Sequence, residues 1–284
     1  MIAPVSRLSE EPDRLGKGDF VRLAAFIYDV AGIKMPDGKR TMLEGRLRRR
    51  VRATGTETIA EYCEWFFEDG HRDGELVHLL NAVTTNKTDF FREPRHFDYL
   101  RDAVLPTVRD GGRRKIRAWS AACSTGAEPY TMAMVIDGFA AQHGGPDYTI
   151  LATDLDTEVL EVAQRGIYPA EMVAPVPPVI RQRYVLAAKA AKRNDVRIVP
   201  ALRAAVSFAR HNLIDDRYDI GEPMDLIFCR NVLIYFDRPT QEQVVRRLVD
   251  CLQPGGYLFL GHSESIAGID LPLTSVANTV FQRT

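Results

Sequence analysis

Two acidic residues lie at positions in the sequence where carboxylates could hold a ligand. Glu128 follows the small-residue stretch Ser120–Gly126, and Asp154 ends the apolar run Tyr148–Thr153. Small residues let a ligand approach a strand-to-helix turn, and an aspartate after the second strand of an α/β nucleoside site binds ribose hydroxyls. Glu128 would repel phosphate but can accept hydrogen bonds from an ammonium group. The structural alternatives are that Glu128 only complements the helix dipole and that Asp154 or Asp156 only caps the next helix.

The stretch that begins at Ser120 lacks the features of a phosphate site. It contains a single glycine, Gly126, and the sequence has neither the dinucleotide fingerprint Gly-x-Gly-x-x-Gly nor a phosphate loop ending in Gly-Lys-Ser/Thr. A pyrophosphate ligand is therefore disfavoured. S-adenosylmethionine is the common metabolite that carries an amine and a ribose without phosphate, so it is the expected cofactor.

A third polar group follows another predicted strand. Arg230 and Asn231 come directly after a buried apolar run, at the carboxyl end where α/β sheets bind ligands, and Tyr235 lies four residues beyond Asn231. The alternative interpretation is a surface arginine paired with Asp225 or Asp237. The sequence thus predicts three polar segments at one edge of a sheet.

The spacing of apolar residues predicts the elements that position these segments. Up to about residue 110 the spacing is three or four residues, which predicts helices. From residue 116 onward short apolar runs alternate with amphipathic helices, which indicates βαβ units around a parallel sheet. The polar cluster Thr84–Pro94 lies where the two parts meet, and it has more hydrogen-bonding side chains than a passive linker needs, although a loop of capping residues is the alternative.

Two segments depart from the βαβ alternation. The proline-rich stretch Tyr168–Ser207 contains short β-prone runs around Val196–Val199 and Val206–Phe208, which favours a small inserted subdomain. The last segment, Asn278–Arg283, follows a loop too short for a helical crossover, so we expect it to pair antiparallel with the strand that begins at Tyr257.

Composition excludes several classes of protein. The 37 basic and 38 acidic residues give a net charge of −1, which does not favour bulk attraction to nucleic acid or anionic membranes. The four cysteines are far apart without a Cys-x-x-Cys spacing, which argues against a zinc ribbon and a disulfide framework. The sequence shows neither a signal peptide nor an apolar run of membrane-spanning length, so a cytoplasmic location is expected.

Six motifs, in one order along the chain, resemble those of the chemotaxis receptor methyltransferases, the CheR-type protein-glutamate O-methyltransferases. The similarity runs from about residue 15 to the end of the chain. The motifs are Thr85–Arg92, Trp119–Tyr130, Thr153–Asp156, Asn212–Leu213, Phe228–Asp237 and Gly261–Glu264.

This resemblance implies a fold and a set of site residues. The implied fold class is α/β, with a Rossmann-like S-adenosylmethionine-dependent methyltransferase domain over residues 86–284 and a small all-helical N-terminal domain with its linker over residues 1–85. An antiparallel β subdomain is expected as an insert at 168–207. The residues implied to bind the cofactor are Asn86, Thr88, Arg92, Glu128, Asp154, Asn212, Leu213, Arg230 and Asn231.

The implied reaction is methyl transfer to a receptor glutamate, which gives a methyl ester and S-adenosylhomocysteine. A carboxylate with a pKa of about 4.3 is already an anion at pH 7, so the reaction needs placement and electrostatics rather than a general base. Arg92 and Arg230 are the candidate catalytic residues that hold the carboxylate, because a guanidinium donates two parallel hydrogen bonds, and Tyr235 would fix the cofactor or the glutamate. No metal is expected, because no ligand-type spacing joins His71, His78, His96, His143, His211 and His262.

One local charge cluster suits an acidic partner. The segment Lys39–Arg52 has seven basic residues and one acid, Glu44, and on a helix Lys39, Arg46 and Arg50 fall in one row. The expected partner is the cytoplasmic helical bundle of a methyl-accepting chemotaxis receptor, with no nucleic acid and with the membrane contacted only through the receptor. A solvated helix face is the structural alternative, and RNA would be attracted to the same charges.

Two other functions fit the fold class: an RNA methyltransferase and a catalytically idle adaptor. The lack of a further basic surface and of an Asn/Asp-Pro-Pro-Tyr motif opposes the first, and the full set of polar site residues opposes the second.

One feature departs from part of the family, in which a glycine-containing loop of the β subdomain binds a receptor C-terminal peptide. The corresponding stretch here, Leu186–Asp195, is basic and lacks glycine, which disfavours such tethering.

Overall fold

The computed structural model describes residues 13–188 and 194–284. The chain divides into two compact units, Met1–Thr84 and Thr85–Thr284. Residues 189–193, in the middle of the basic stretch Leu186–Asp195, lie outside the described residues, so the expectation about peptide tethering is not addressed by the structure.

The first unit is helical in its described part, from Asp13 onward. The apolar residues that recur every three or four positions face the interior of this unit, as predicted. Leu23, Ile27, Leu43 and Leu47 all lie in one hydrophobic core. The helices are α1 (Lys17–Ala31), α2 (Arg40–Thr54), α3 (Ile59–Phe67) and α4 (Arg72–Val83).

A buried ion pair crosses this unit. Arg50 Nε and Nη2 donate to the two carboxylate oxygens of Glu75 at 2.7 and 2.8 Å, and the Tyr62 hydroxyl donates to the same carboxylate at 2.9 Å. Arg46 Nη1 donates to the carbonyl oxygens of Val83 and Thr84 at 2.5 and 2.6 Å. Two basic residues of α2 therefore stabilise their own unit.

The second unit begins with α5 (Pro94–Tyr99), a π-helical stretch (Leu100–Val104) and α6 (Leu105–Asp110). A seven-stranded sheet follows, with the order β6-β2-β1-β7-β8-β10-β9. Strands β6, β2, β1, β7 and β8 run parallel, and β10 pairs antiparallel with β8 and β9. The strands are β1 (Lys115–Ala121), β2 (Asp147–Asp154), β6 (Val206–Arg210), β7 (Met224–Cys229), β8 (Leu252–Leu260), β9 (Leu273–Ala277) and β10 (Val280–Arg283).

Helices cover this sheet and bury its apolar runs. The helices α7 (Ala127–His143), α8 (Thr157–Arg165) and α11 (Arg238–Cys251) are the predicted amphipathic segments of the βαβ units. The antiparallel pairing expected for the C-terminal segment is present, because Phe281 of β10 lies opposite Leu258 of β8. The α/β fold class is therefore confirmed.

A separate three-stranded antiparallel sheet lies within the predicted insert. It has the order β3-β5-β4, with β3 (Ile167–Pro169), β4 (Val185–Ala187) and β5 (Asp195–Ile198). The short helix α9 (Pro178–Tyr184) contacts β4, whereas α10 (Pro200–Ala205) contacts α7 and β6. The run Val206–Phe208, predicted to lie in the insert, instead forms β6 of the large sheet, parallel to β2. In the described part of the chain no helix is both long and apolar enough to span a bilayer.

Candidate active site

The loop between β1 and α7 has an unusual backbone. Ala122, Ser124 and Gly126 all have positive φ angles, of 63°, 51° and 89°. Glycine adopts this conformation without a steric cost, whereas left-handed backbone at an ordinary residue such as Ala122 or Ser124 costs on the order of 1–3 kcal/mol. A Cβ atom at Gly126 would lie 2.8 Å from the Cβ of Ala163, so the glycine is also required by close packing against α8.

Asp154 connects this loop to the end of β2. Its Oδ2 accepts a hydrogen bond of 2.8 Å from the Ser124 backbone N–H, and its Oδ1 accepts one of 3.0 Å from the Asp156 N–H. Burial raises the pKa of Asp154 to about 6, although these backbone hydrogen bonds oppose the shift. Each carboxylate oxygen has a second lone pair, so the group retains the capacity to accept hydroxyl donors.

Helix capping falls to Asp156 rather than to Asp154. The Asp156 side chain accepts from the backbone N–H groups of Glu158 and Val159 at the start of α8. It also accepts a bond of 2.6 Å from Asn86 Nδ2, and the Asn86 carbonyl accepts one of 3.1 Å from the Ser124 hydroxyl. The predicted cofactor residue Asn86 therefore lies against the same loop as Asp154.

Glu128 does more than complement the helix dipole. Its Oε1 accepts the Ser120 hydroxyl at 2.7 Å, and its Oε2 lies 3.1 Å from Arg230 Nη1, with 12% of its side chain exposed. Burial raises the pKa of Glu128, and the positive charge of Arg230 opposes that shift. The ends of β1 and β7 thus bring a carboxylate and a guanidinium into direct contact.

Arg230 is almost fully buried, with 1% of its side chain exposed. Its Nη2 donates to the Arg92 carbonyl at 2.6 Å and to Glu93 Oε2 at 2.8 Å, while its Nε has no partner within the described residues. The aspartates suggested as alternative partners are engaged elsewhere, because Asp225 pairs with Arg113 at 2.7 Å and Asp237 caps α11.

Glu93 is a site residue that sequence reasoning did not identify. It begins α5 in a left-handed conformation, with φ of 55° and ψ of 65°. Its Oε1 accepts from Asn231 Nδ2 at 3.2 Å and from the His262 backbone N–H at 3.3 Å. Burial opposes ionisation, but the hydrogen bond and charge of Arg230 lower the pKa of Glu93 to about 2. The only sequence signal was its place at the end of the polar cluster Thr84–Pro94.

Glu264 is the second residue of this kind. Its carboxylate is buried and accepts backbone N–H groups of Asn231 at 2.9 Å, Leu233 at 2.8 Å and Gly261 at 2.6 Å. Asn231 has a positive φ of 60°, so Glu264 stabilises a strained turn after β7. The motif Gly261–Glu264 contained the signal, but no role was predicted for the glutamate.

The other predicted site residues lie on segments at the same strand ends. Arg92 is half-buried and donates from Nη1 to the Lys87 carbonyl at 2.9 Å. Asn212 Oδ1 accepts the Ile214 N–H at 3.4 Å, and the buried Leu213 follows it after β6. Thr88 and Tyr235 are half-buried, Thr88 in the segment before Arg92 and Tyr235 in a 3₁₀ turn after β7.

The fold brings two histidines next to Glu93, which their spacing in the sequence did not predict. Ligand atoms of Glu93, His96 and His262 all lie within 4.8 Å of one another, a separation compatible with a metal ion. Burial lowers the pKa of His96 to about 4, and its Nδ1 lies 3.5 Å from Glu93 Oε2. Arg230 donates to that same oxygen, so a metal ion would have to displace the guanidinium from this ion pair.

The residues at this edge fit S-adenosylmethionine by their chemistry. A carboxylate such as Glu128 can accept hydrogen bonds from an ammonium group, and one placed like Asp154 can accept them from ribose hydroxyls, while the small residues of the loop allow close approach to the backbone. Two buried polar atoms, Thr125 Oγ1 and Arg230 Nε, have no partner in the described part of the protein and can bind a polar ligand.

Comparison with known proteins supports S-adenosylmethionine as the cofactor. The family model "CheR methyltransferase, SAM binding domain" matches residues 86–281, and "CheR methyltransferase, all-alpha domain" matches residues 18–84. The chain is 39% identical to a chemotaxis protein methyltransferase of Escherichia coli, over 97% of this chain and 95% of that protein. It is 37% identical to chemotaxis protein methyltransferase 2 of Pseudomonas aeruginosa, over 93% of this chain and 92% of that protein.

Proposed function

The chain belongs to the CheR methyltransferase family, and from this premise we propose that it methylates glutamate side chains of chemotaxis receptors. It is an S-adenosylmethionine-dependent methyltransferase. The products of the proposed reaction are glutamate methyl esters and S-adenosylhomocysteine. The observation that carries the proposal is the pair of acceptors at one edge of the sheet, the partly buried Glu128, held by Arg230, and the buried Asp154, held by the Ser124 N–H.

The proposed cofactor site combines residues from five strand ends and loops. Glu128 would receive the ammonium group and Asp154 the ribose hydroxyls, which leaves the remaining residues to hold the other parts of the molecule. When bound, S-adenosylmethionine supplies a methyl group on a positively charged sulfur, which is open to attack by an anion. The remaining proposed cofactor residues are Asn86, Thr88, Arg92, Asn212, Leu213, Arg230 and Asn231.

The residues of the chain position the nucleophile rather than deprotonate it. A glutamate carboxylate with an ordinary pKa of about 4.3 is ionised at pH 7, so the site needs no general base. In-line placement of two reactants lowers the barrier by several kcal/mol. A water-excluding edge with fixed donors is sufficient for this chemistry.

We assign the incoming carboxylate to Arg92 rather than to Arg230. The Arg230 guanidinium already faces Glu93, Glu128 and a carbonyl oxygen, and it is buried. Arg92 is half-buried, and its contact with the Lys87 carbonyl occupies one of its five N–H donors. A guanidinium that is too tightly bound to the nucleophile would slow attack, and a partly exposed arginine avoids this. Tyr235, in the turn after β7, is the proposed second contact.

Receptor docking is proposed for the exposed face of α2. Arg46 and Arg50, two residues of the row predicted from the sequence, are used within the first unit by Thr84 and Glu75. The exposed basic residues of this helix are Arg40, Arg48, Arg49 and Arg52. Arg49 and Arg52 lie three residues apart on one helix face, where they can meet acidic side chains of a receptor helical bundle.

The test is incubation with S-adenosylmethionine labelled in its methyl group and receptor-containing membranes, followed by alkali treatment. We expect label on the receptor band and its release as methanol in alkali, because carboxyl esters are base-labile. Membranes from cells that lack the receptors are the control. Label that survives alkali would indicate nitrogen methylation, label in nucleic acid would indicate an RNA methyltransferase, and no transfer would indicate an adaptor; each result would exclude the proposed function.

A further inference from the structure

The guanidinium of Arg230 is shared between two glutamates from different segments. Nη2 lies 2.8 Å from Glu93 Oε2, and Nη1 lies 3.1 Å from Glu128 Oε2. One positive charge therefore faces two carboxylates in a site that excludes most water. Coulomb interactions are stronger in such an environment. The way in which the two carboxylates share the charge of Arg230 therefore affects the binding of any charged ligand.

Glu93 is the more firmly held of the two partners. Besides Arg230, it accepts hydrogen bonds from Asn231 Nδ2 and from the His262 backbone N–H. Its backbone has a left-handed φ of 55°, as does that of Phe91, two residues before it. Strained residues persist only where their surroundings hold them in place, and the contacts with Arg230, Asn231 and His262 do so here.

Glu128 has fewer fixed contacts at its carboxylate. It accepts from the Ser120 hydroxyl and from Arg230, and the latter contact is the longer of the two ion pairs. If Glu93 were neutral, Arg230 would be neutralised by Glu128 alone. The negative charge of Glu128 would then be compensated by Arg230, and Glu128 would have less affinity for a cationic group of a ligand.

We propose that Glu93 is a positioning residue of the cofactor site, which compensates the charge of Arg230 and thereby leaves Glu128 available to a cationic group of the ligand. This inference rests on the proposed role of Glu128 as the acceptor for the ammonium group. It does not depend on the identity of the methyl acceptor, because cofactor binding can be measured without a receptor.

The test is calorimetric titration of S-adenosylhomocysteine, which retains the ammonium group, into the full chain. Glu93→Gln and Glu128→Gln should each weaken binding by about tenfold or more, a coupling of ordinary size. Glu93→Gln is expected to act only through the Glu128 carboxylate, which Glu128→Gln removes. The double variant should therefore bind no more than about threefold more weakly than Glu128→Gln alone. Glu242→Gln, on the outer helix α11, is the matched control and should bind like wild type.

Glu93→Asp distinguishes charge from packing and serves where Glu93→Gln does not fold. It keeps the charge with a shorter side chain, so we expect binding within about threefold of wild type. Wild-type affinity in Glu93→Gln, fully additive losses in the double variant, or a tenfold loss in Glu93→Asp would each overturn the proposal. A failure of receptor methylation with these affinities intact would instead refute only the proposed substrate.

Discussion

The Asp154 carboxylate accepts the backbone N–H of Ser124 at 2.8 Å and so fixes the loop after β1 to the end of β2. Strands β1 and β2 are parallel neighbours in the sheet, with Ala121 of β1 opposite Thr153 of β2. A single buried side chain therefore sets the shape of the loop and, in the proposed site, binds the ribose. These two roles make Asp154 the most informative residue to change.

Replacing Asp154 should weaken cofactor binding strongly. We expect Asp154→Ala to reduce affinity for S-adenosylmethionine and S-adenosylhomocysteine by about tenfold or more, because hydrogen bonds to a charged group contribute about 1.5–3 kcal/mol. Isothermal titration calorimetry measures both ligands. Asp250→Ala, at an exposed position of α11, is the control. Unchanged affinity in Asp154→Ala would remove the ribose assignment.

Cofactor affinity should depend on pH through the same residue. The pKa of Asp154 is raised to about 6, so the free protein loses the anion as the pH falls below that value. Hydroxyl donors favour the anion, and the affinity for S-adenosylhomocysteine should therefore be constant above pH 6 and fall by up to about tenfold per pH unit below it. In Asp154→Asn the affinity should be weak at every pH, and the fall below pH 6 that Asp154 causes should be absent. A wild-type profile that is flat between pH 5 and 7.5 would contradict the assignment.

Glu264 should contribute chiefly to stability. Glu264→Ala leaves the N–H groups of Asn231, Leu233 and Gly261 without their carboxylate acceptor, and we expect a loss of about 2–4 kcal/mol in the free energy of unfolding. Urea unfolding followed by the fluorescence of Trp119, in a Trp65→Phe background, reports on the second unit. Glu242→Gln in that background should unfold like the parent protein. A loss below about 0.5 kcal/mol for Glu264→Ala would show that water or other groups replace the carboxylate.

Several features of this site could be predicted from the sequence, and others could not. Asp154 and Arg230 were identified because each follows an apolar strand, and the carboxyl ends of parallel strands meet at one edge. Glu93 was missed because its contacts with Arg230 and Asn231 join residues 137 and 138 positions apart and depend on a left-handed backbone. Local patterns carry no information about such pairings.

Local sequence patterns also do not show which partners the basic residues of α2 have or which sheet a short strand joins. Arg46 and Arg50 were correctly placed on one helix by periodicity, but Lys39 lies in the 3₁₀ turn Asp37–Lys39 before that helix. The acceptors Glu75 and Thr84 come from other segments of the first unit. The run at Val206 is too short to show whether it pairs within the insert or with β2, and only the tertiary register decides this. Helix α3 (Ile59–Phe67), by contrast, agrees with the helical spacing predicted for the first 110 residues because its apolar spacing is continuous.

Charge reversal on α2 should separate receptor docking from catalysis. We expect Arg49→Glu combined with Arg52→Glu to reduce the rate of receptor methylation at least fivefold at low salt, with a smaller difference at high salt because exposed charges are screened. Affinity for S-adenosylhomocysteine should not change. Arg165→Glu, on the exposed face of α8, is the control for a general charge effect. Equal rates for the double variant and the control would exclude α2 as the docking surface.

The most direct test of the central claim is a crystal structure of the protein with S-adenosylhomocysteine. We expect the ligand at the carboxyl edge of β1, β2 and β7, with its ammonium group within hydrogen-bonding distance of Glu128 and its ribose hydroxyls on Asp154. A ligand bound elsewhere, or an edge that stays without the nucleoside at saturating concentration, would contradict the account.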